Sequence, residues 1–164
     1  MYGIGKREAA SSRMADFLSP KERSDRMSRI RSKDTSPELA LRKALRALGL
    51  RFRVHDKSLP GKPDIVLPRF RTVVHVHGCF WHRHAGCNVA TTPKSSTAYW
   101  QEKFDLNVQR DHRNAAALEA LGWKVVTAWE CELGSQRKTN EVARRIAVEI
   151  GHQPRLNFPK SDSS

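Results

Sequence analysis

Residues 72–87, TVVHVHGCFWHRHAGC, join a β-branched run to a loop that mixes cysteines, histidines and two adjacent aromatic residues. The β-branched run predicts a strand, because such side chains pack well on a pleated sheet. The following loop does not suit a hydrophobic core. Its thiols and imidazoles at short spacing suit zinc, and its aromatic residues beside basic ones suit stacking on nucleic-acid bases. The stretch therefore predicts a strand that leads into a loop for metal and nucleic acid.

Short elements of alternating type flank this stretch on both sides. Turn-bounded apolar runs predict strands, and apolar residues at helical spacing predict helices. Strands are predicted over 51–54, 63–67, 72–77 and 123–129, and helices over 20–31, 37–48, 99–121 and 140–150. This order predicts an α/β (α+β) fold with a mixed sheet flanked by helices, in which the strands over 63–67 and 72–77, close in sequence, form an antiparallel meander.

The predicted helix over 37–48 has the clearest boundaries. Ser36 is expected to cap it, Pro37 to take its first position and Gly49 to follow its end. Its expected buried stripe consists of leucines, namely Leu39, Leu41, Leu45 and Leu48.

Charge and length limit the classes of function. The chain has 164 residues and a net charge of +13, which predicts one domain that binds a polyanion, most commonly nucleic acid. No apolar run is long enough to cross a bilayer, and residues 1–19 lack a secretory signal pattern. Three cysteines, an odd number, argue against a disulfide framework and for the cytoplasm. We expect a basic extension at 1–18, a domain at 19–151 and a polar tail at 152–164.

Metal ligands are concentrated near the ends of two predicted strands. Cys79, His82, His84 and Cys87 lie within nine positions, and Cys131 closely follows the strand over 123–129. A sheet that placed these strand ends together would gather three cysteines and one histidine into a closed, structural Cys3His zinc site. Spacing leaves the choice of histidine open. The alternative is that Cys79 and Cys131 are ordinary buried thiols and that Cys87 is incidental.

A carboxylate begins the apolar strand over 63–67, where aspartate is normally depleted. Asp64 beside the backbone of the neighbouring strand would suit Mg²⁺, which prefers oxygen ligands. His77 and His82 are candidates for proton transfer to and from a phosphodiester and its attacking water. Glu38 and Asp111 are candidate partners.

Several separate motifs occur together: GKPD at 61–64, HGCFWH at 77–82, YWQEK at 99–103, NVQRD at 107–111 and WEC at 129–131. In content, order and spacing they resemble the very-short-patch repair endonucleases over about 23–133. These are bacterial DNA mismatch endonucleases with a restriction-endonuclease-like fold. The resemblance implies Mg²⁺-dependent nicking of double-stranded DNA 5′ to the thymine of a T:G mismatch, which arises from deamination of 5-methylcytosine.

The resemblance also implies roles for individual residues. Asp64 would hold Mg²⁺ together with the backbone carbonyl of Val76. His77 and His82 would be catalytic. Glu38 would order metal-bound water, and Asp111 would orient His77. The implied structural zinc ligands are Cys79, His84, Cys87 and Cys131.

Apolar residues would read the mismatch, because a T:G wobble pair is less costly to unstack than a Watson–Crick pair. Phe80, Trp81 and Trp100 resemble aromatics that enter the stack from the major groove, and Met27 and Ile30 resemble residues that enter from the minor groove. For Trp100 the alternative is core packing on its helix. Met27 and Ile30 also fit an ordinary packed helix.

Two features depart from the family pattern: Val76 stands where threonine is expected, and one extra residue lies between His84 and Cys87. A competing interpretation is a non-catalytic, zinc-stabilised DNA-binding module. A zinc hydrolase or deaminase is less favoured, because His82-Arg83-His84 lacks the glutamate of an H-x-E motif. We expect a cytoplasmic, nucleoid-associated bacterial monomer whose partner is mismatched double-stranded DNA, with no membrane partner.

Overall fold

The computed structural model describes residues 33–152. Its helices are α1 (Ser36–Ala47), α2 (Thr97–Ala120) and α3 (Gln136–Glu149), and its strands are β1 (Arg53–Val54), β2 (Ile65–Leu67), β3 (Thr72–His77) and β4 (Lys124–Trp129). Short 3-10 turns follow β2 and β4, at Pro68–Phe70 and Glu130–Glu132. The helix predicted over 20–31, with Met27 and Ile30, lies outside the described residues, as do 1–18 and 153–164.

The strands form one mixed sheet in the order β1-β2-β3-β4. The predicted antiparallel pairing of β2 with β3 is confirmed. β1 also pairs antiparallel with β2, and β4 lies parallel to β3. Parallel neighbours require a crossover connection, which α2 provides. The register sets His77 level with Trp129, so the carboxyl ends of β3 and β4 meet at one edge. The expected mixed α/β fold is therefore confirmed.

Alternation along the strands gives the sheet two different faces. One face carries Ile65, Val74 and Ala128 into the main hydrophobic core, where residues of α1 and α3 cover it. The other face carries Val66 and Val73 against Leu118 of α2. By the same alternation, Asp64, His75 and His77 lie on the α2 side of the sheet. No helix within residues 33–152 is long and apolar enough to span a bilayer.

Helix α1 differs from its prediction in two details. Its N-cap is Thr35 rather than Ser36, with extended dihedral angles of φ −68° and ψ 157°. Leu39 is 51 % exposed and does not belong to the buried stripe, since it is two residues from buried Leu41 and therefore on nearly the opposite face of the helix. Gly49 follows the C-cap as predicted, with φ of +80°.

The last helix begins earlier than its apolar periodicity suggests. Ser135 caps α3 by accepting a hydrogen bond from the backbone N–H of Lys138, so the helix starts at Gln136 instead of residue 140. Its first three residues, Gln136, Arg137 and Lys138, are polar and exposed, which hides the start from a search for apolar spacing. Capping chemistry is therefore the better signal for this boundary.

Candidate active site and metal centre

The α2 side of the sheet opens into a cleft of about 1360 Å³ beyond the packing around Leu118. Asp64, His75 and His77 line it from the sheet, and Glu38, His82 and Asp111 line it from the surrounding elements. Lysines and arginines also line it, namely Lys33, Lys57, Lys62, Arg83, Lys103 and Arg110. Carboxylates and imidazoles thus occupy the same cleft as basic side chains, an arrangement that suits a phosphodiester and a divalent cation.

Asp64 directly precedes β2 and is positioned by the backbone of the neighbouring strand, β3. Its Oδ2 accepts a hydrogen bond of 2.7 Å from the backbone N–H of Val76. Burial raises the pKa of the Asp64 carboxyl to about 6, an effect that the Val76 hydrogen bond opposes and the nearby Glu38 charge reinforces. The sequence-based pairing of Asp64 with the Val76 backbone is therefore seen as a contact with the amide.

Glu38 is held by a network that the sequence analysis did not single out. Its Oε2 accepts from Arg42 at 2.8 Å and from the backbone N–H of Asp34 at 3.0 Å, and its Oε1 accepts from the Thr35 hydroxyl at 2.9 Å. Arg42 also contacts His55, with Nη2 and Nε2 2.9 Å apart. The i, i+4 spacing of Glu38 and Arg42 is a signal from which this pair could have been found.

The two histidines predicted to be catalytic lie together. The rings of His77 and His82 stack with their centroids 3.9 Å apart and their planes 7° apart. Burial is the main cause that lowers the pKa of His77 to about 3, and the nearby charge of His82 lowers it further. His77 is therefore neutral at neutral pH. His75, missed by the sequence analysis, lies two residues before His77 on the same face, and burial lowers its pKa too.

The predicted partner of Asp111 was wrong. Its carboxylate Oδ2 lies against Nδ1 of His82, whereas the sequence analysis assigned it to His77. The reason is the tight turn after β3, in which the backbone N–H of His82 donates to the carbonyl of Gly78 at 3.1 Å and returns the chain towards α2. Because Nδ1 faces the carboxylate, Nε2 is the nitrogen that can accept a proton from the cleft.

The four predicted metal ligands Cys79, His84, Cys87 and Cys131 converge, with ligand atoms all within 4.8 Å of one another. Nδ1 of His84 lies 3.4 Å from Sγ of Cys131 and 3.7 Å from Sγ of Cys79. Tetrahedral zinc with Zn–S bonds of about 2.3 Å would separate its ligand atoms by roughly 3.5–3.8 Å. The cluster therefore fits a tetrahedral ion, and His84 rather than His82 accompanies the cysteines.

The thiols of this metal cluster differ in acidity. A hydrogen bond from the backbone of Val89 is the main cause that lowers the pKa of Cys87 to about 7. Burial raises the pKa of Cys79 to about 12 and also raises that of Cys131. At neutral pH, three neighbouring thiols can therefore all lose their protons only if a cation compensates the charge of the thiolates.

Neighbouring residues support the metal cluster from β4. The indole of Trp129 stacks on His84, with centroids 4.2 Å apart and planes 5° apart. Glu132 accepts from the backbone N–H of Trp129 at 3.0 Å and from Arg145 at 2.7 and 3.2 Å. These contacts fix the turn that carries Cys131.

The predicted DNA-intercalating aromatics form one packed group. Ring centroids of Phe80 lie 5.0 Å from Trp81 and 5.5 Å from Trp100, and Phe104 lies below them. Trp100 is only 4 % exposed, so in this conformation it packs as part of the core. Phe80 and Trp81 are half-buried, and Trp81 lines the cleft. The accessible part of the group thus lies next to the candidate catalytic residues.

Comparison with known proteins identifies the family to which the chain belongs. Residues 15–88 match the family model for DNA mismatch endonuclease Vsr. Over 120 residues, 73 % of this chain and 88 % of the relative, it is 52 % identical to the type II nicking enzyme V.XorIIP of Xanthomonas oryzae pv. oryzae. It is 43 % identical to the DNA mismatch endonuclease Vsr of Escherichia coli, over 79 % of this chain and 83 % of that protein. The chain belongs to the Vsr family of DNA mismatch endonucleases, and its function is mismatch-repair cleavage of DNA.

Proposed function

We propose that this endonuclease nicks double-stranded DNA 5′ to the thymine of a T:G mismatch and that it needs Mg²⁺ for the reaction. The observation that carries the proposal is the position of Asp64, a half-buried carboxylate beside the backbone of Val76, in the same cleft as His77, His82 and Trp81. A carboxylate and a carbonyl on adjacent strands would hold Mg²⁺ together with waters. Val76 in place of threonine leaves a backbone carbonyl available.

Each side chain of the cleft then has a role in hydrolysis. Mg²⁺ at Asp64 would stabilise the negative charge on the phosphate and make a bound water more acidic. Glu38 accepts hydrogen bonds from ordered water. His82 accepts the proton of the attacking water through Nε2, and Asp111 stabilises the imidazolium that forms. His77 stays neutral and offers a hydrogen bond to the scissile phosphate.

Zinc suits the Cys79, His84, Cys87 and Cys131 cluster as a structural ion. Three thiolates and one imidazole complete a tetrahedron, which leaves no position for a substrate or a reactive water. Zinc here would tie the loop after β3 to the turn after β4 and so hold His82 and Trp81 in place. A zinc hydrolase mechanism is disfavoured for the same reason.

Mismatch recognition is assigned to the aromatic residues next to the cleft. Phe80 and Trp81 would enter the base stack from the major groove, supported from below by Trp100 and Phe104. A T:G pair is unstacked at lower cost than a matched pair, so insertion discriminates between them. Entry of Met27 and Ile30 from the minor groove remains a prediction for residues outside the described range.

The alternative, a zinc-stabilised DNA-binding module without catalysis, would share the metal cluster, the aromatics and the net charge of +13. It would have no use for Asp64 in the cleft or for an Asp111–His82 pair beside a stacked histidine. The mixed sheet, with Asp64 directly before its central strand β2, also suits a restriction-endonuclease-like core. A single mismatch is asymmetric and needs one active site, which suits a monomer.

Strand-resolved cleavage of end-labelled duplexes tests this proposal. One duplex carries a T:G pair and the other a T:A pair in the same flanks, each incubated with Mg²⁺ or with a chelator. We expect a nick 5′ to the mismatched thymine when Mg²⁺ is present and no nick in the chelator. Trp81→Ala should lower the ratio of T:G to T:A nicking, and Trp81→Phe should largely restore it. Mismatch binding with no nick in Mg²⁺ would favour the non-catalytic module.

A further inference from the structure

Arg42 lies one helical turn after Glu38 on α1, behind the cleft, and only 6 % of it is exposed. Its Nη2 donates to Oε2 of Glu38 at 2.8 Å, and its Nη1 donates to Oδ1 of Asp34 at 2.5 Å. A forked guanidinium can hold two carboxylates in fixed directions, whereas a lysine ammonium cannot. Arg42 therefore fixes the orientation of the Glu38 side chain.

Two strained residues converge on the same guanidinium. Asp34 and His55 have positive φ angles, of 53° and 49°, although neither is glycine. Such conformations are retained only where surrounding contacts hold them, and they are concentrated at functional sites. Arg42 supplies those contacts to both, at 2.5 Å to Asp34 and 2.9 Å to His55. Asp34, Glu38 and His55 resemble a metal-binding group, but the Arg42 guanidinium is the cation that they surround.

The hydrogen bonds of Glu38 leave one acceptor position of its carboxylate free. A carboxylate has about four acceptor positions, two on each oxygen. Arg42 and the Asp34 backbone take those of Oε2, and the Thr35 hydroxyl takes one of Oε1. Because Glu38 lines the cleft, the second position of Oε1 is the one that a water in the cleft can use.

Stability alone does not account for this arrangement. A buried ion pair often contributes no more than apolar residues of similar volume would, since both ions lose their hydration. Arg42 also buries its Nε without a hydrogen-bond partner among residues 33–152, which adds a desolvation cost. A residue kept at such a cost, directly behind a carboxylate of the cleft, points to a role in the reaction.

We propose that Arg42 is a positioning residue for nicking, which acts by aiming the free acceptor of Glu38 at the water shell of the cation at Asp64. This inference rests on the proposed function of the cleft. Arg42 does not touch the DNA or the cation in this account; its effect passes through Glu38. Partners of this kind typically change metal affinity or activity by about 10- to 100-fold when they are removed.

A double-mutant cycle tests whether the effect passes through Glu38. Single-turnover nicking of a T:G duplex is measured over a Mg²⁺ titration for wild type, Arg42→Gln, Glu38→Gln and the double variant. We expect Arg42→Gln to lower the rate by about 10- to 100-fold and to raise the Mg²⁺ concentration for half-maximal nicking. In the Glu38→Gln background, the same change should alter the rate by no more than about twofold.

The control is Arg137→Gln, which removes an exposed i, i+4 ion pair of 2.7 Å with Glu141 on α3 and should leave nicking unchanged. If Arg42→Gln does not fold, Arg42→Lys, which keeps the charge without the fork, takes its place in the cycle. Equal losses in both backgrounds would overturn the role of Arg42 while leaving the proposed function intact. A wild-type protein that does not nick the T:G duplex would instead overturn the proposed function.

Discussion

At the scale of the residue, Asp64 shows a conflict between folding and function. The carboxylate is mostly removed from water, and the Val76 amide compensates only part of that loss, so its pKa rises to about 6. A cation would remove this penalty by binding the charged form. The same environment that makes the ionised side chain unfavourable in the metal-free protein therefore favours metal binding.

This conflict predicts an unusual dependence of stability on pH. Asp64 holds its proton more tightly in the folded state than in the unfolded chain, where its pKa is near 3.8. Stability of the metal-free protein should therefore fall as pH rises from about 4 to about 6 and stay lower above that range. The penalty is on the order of 3 kcal/mol at most, from about two pKa units.

Chemical denaturation of wild type and Asp64→Asn between pH 4 and pH 8, both with a chelator for Mg²⁺, measures this effect. Because the amide cannot ionise, Asp64→Asn should gain stability relative to wild type as the pH rises. The difference between the two proteins should level off above pH 6. A difference that does not change with pH would show that Asp64 has an ordinary pKa.

At the scale of the element, the carboxyl ends of β3 and β4 bring the two sites together. His77 ends β3 level with Trp129, which ends β4, and the metal cluster and the histidine pair lie directly beyond them. The sequence predicted β3 at its observed bounds and placed Cys131 just after a second strand, whose end a sheet could bring beside the end of β3. Periodicity and spacing are enough for this part of the site.

Contacts that depend on side-chain direction were not predictable in the same way. Whether Asp111 meets His77 or His82 depends on how the turn after β3 folds back, which the spacing of 29 residues between His82 and Asp111 does not specify. Arg42 was missed because it reads as an ordinary charged position of an amphipathic helix until burial is known. Leu39 was wrongly included in the core, because an apolar position of an amphipathic helix is taken as buried until its exposure is known.

The metal cluster predicts a large effect from one cysteine. Cys131→Ser removes the ligand that comes from the turn after β4, so bound zinc should fall from about one ion per chain to nearly none, because Cys3His sites need all four ligands. Stability should fall by several kcal/mol, since metal binding contributes directly to folding. Metal analysis and thermal melting of the purified protein measure both quantities.

A pair of histidine variants provides the control for this prediction. His84→Ala should lose zinc as Cys131→Ser does, because Nδ1 of His84 lies 3.4 Å from the Cys131 sulfur. His82→Ala should keep its zinc, because His82 pairs with Asp111 instead. The opposite pattern would assign His82 to the metal cluster.

At the scale of the whole molecule, the chain is strongly basic, and positive and negative side chains meet in the cleft. The chain carries a net charge of +13, and lysines and Arg110 line the cleft that contains Asp64, Glu38 and Asp111. Positive charge at the cleft attracts the DNA backbone, while the carboxylates require a divalent cation before a phosphate can approach them. Binding and catalysis should therefore be separable.

Nicking by Asp64→Asn tests the central claim, that the cleft around Asp64 is where the strand is cut. Wild type, Asp64→Asn and the control Asp56→Asn are compared on one T:G duplex, with binding measured in chelator and nicking in Mg²⁺. Asp56 bonds Ser58 and does not line the cleft. We expect Asp64→Asn to bind the mismatch as wild type does and to make no nick, whereas Asp56→Asn should both bind and nick like wild type. A nick by Asp64→Asn at the wild-type rate would contradict it.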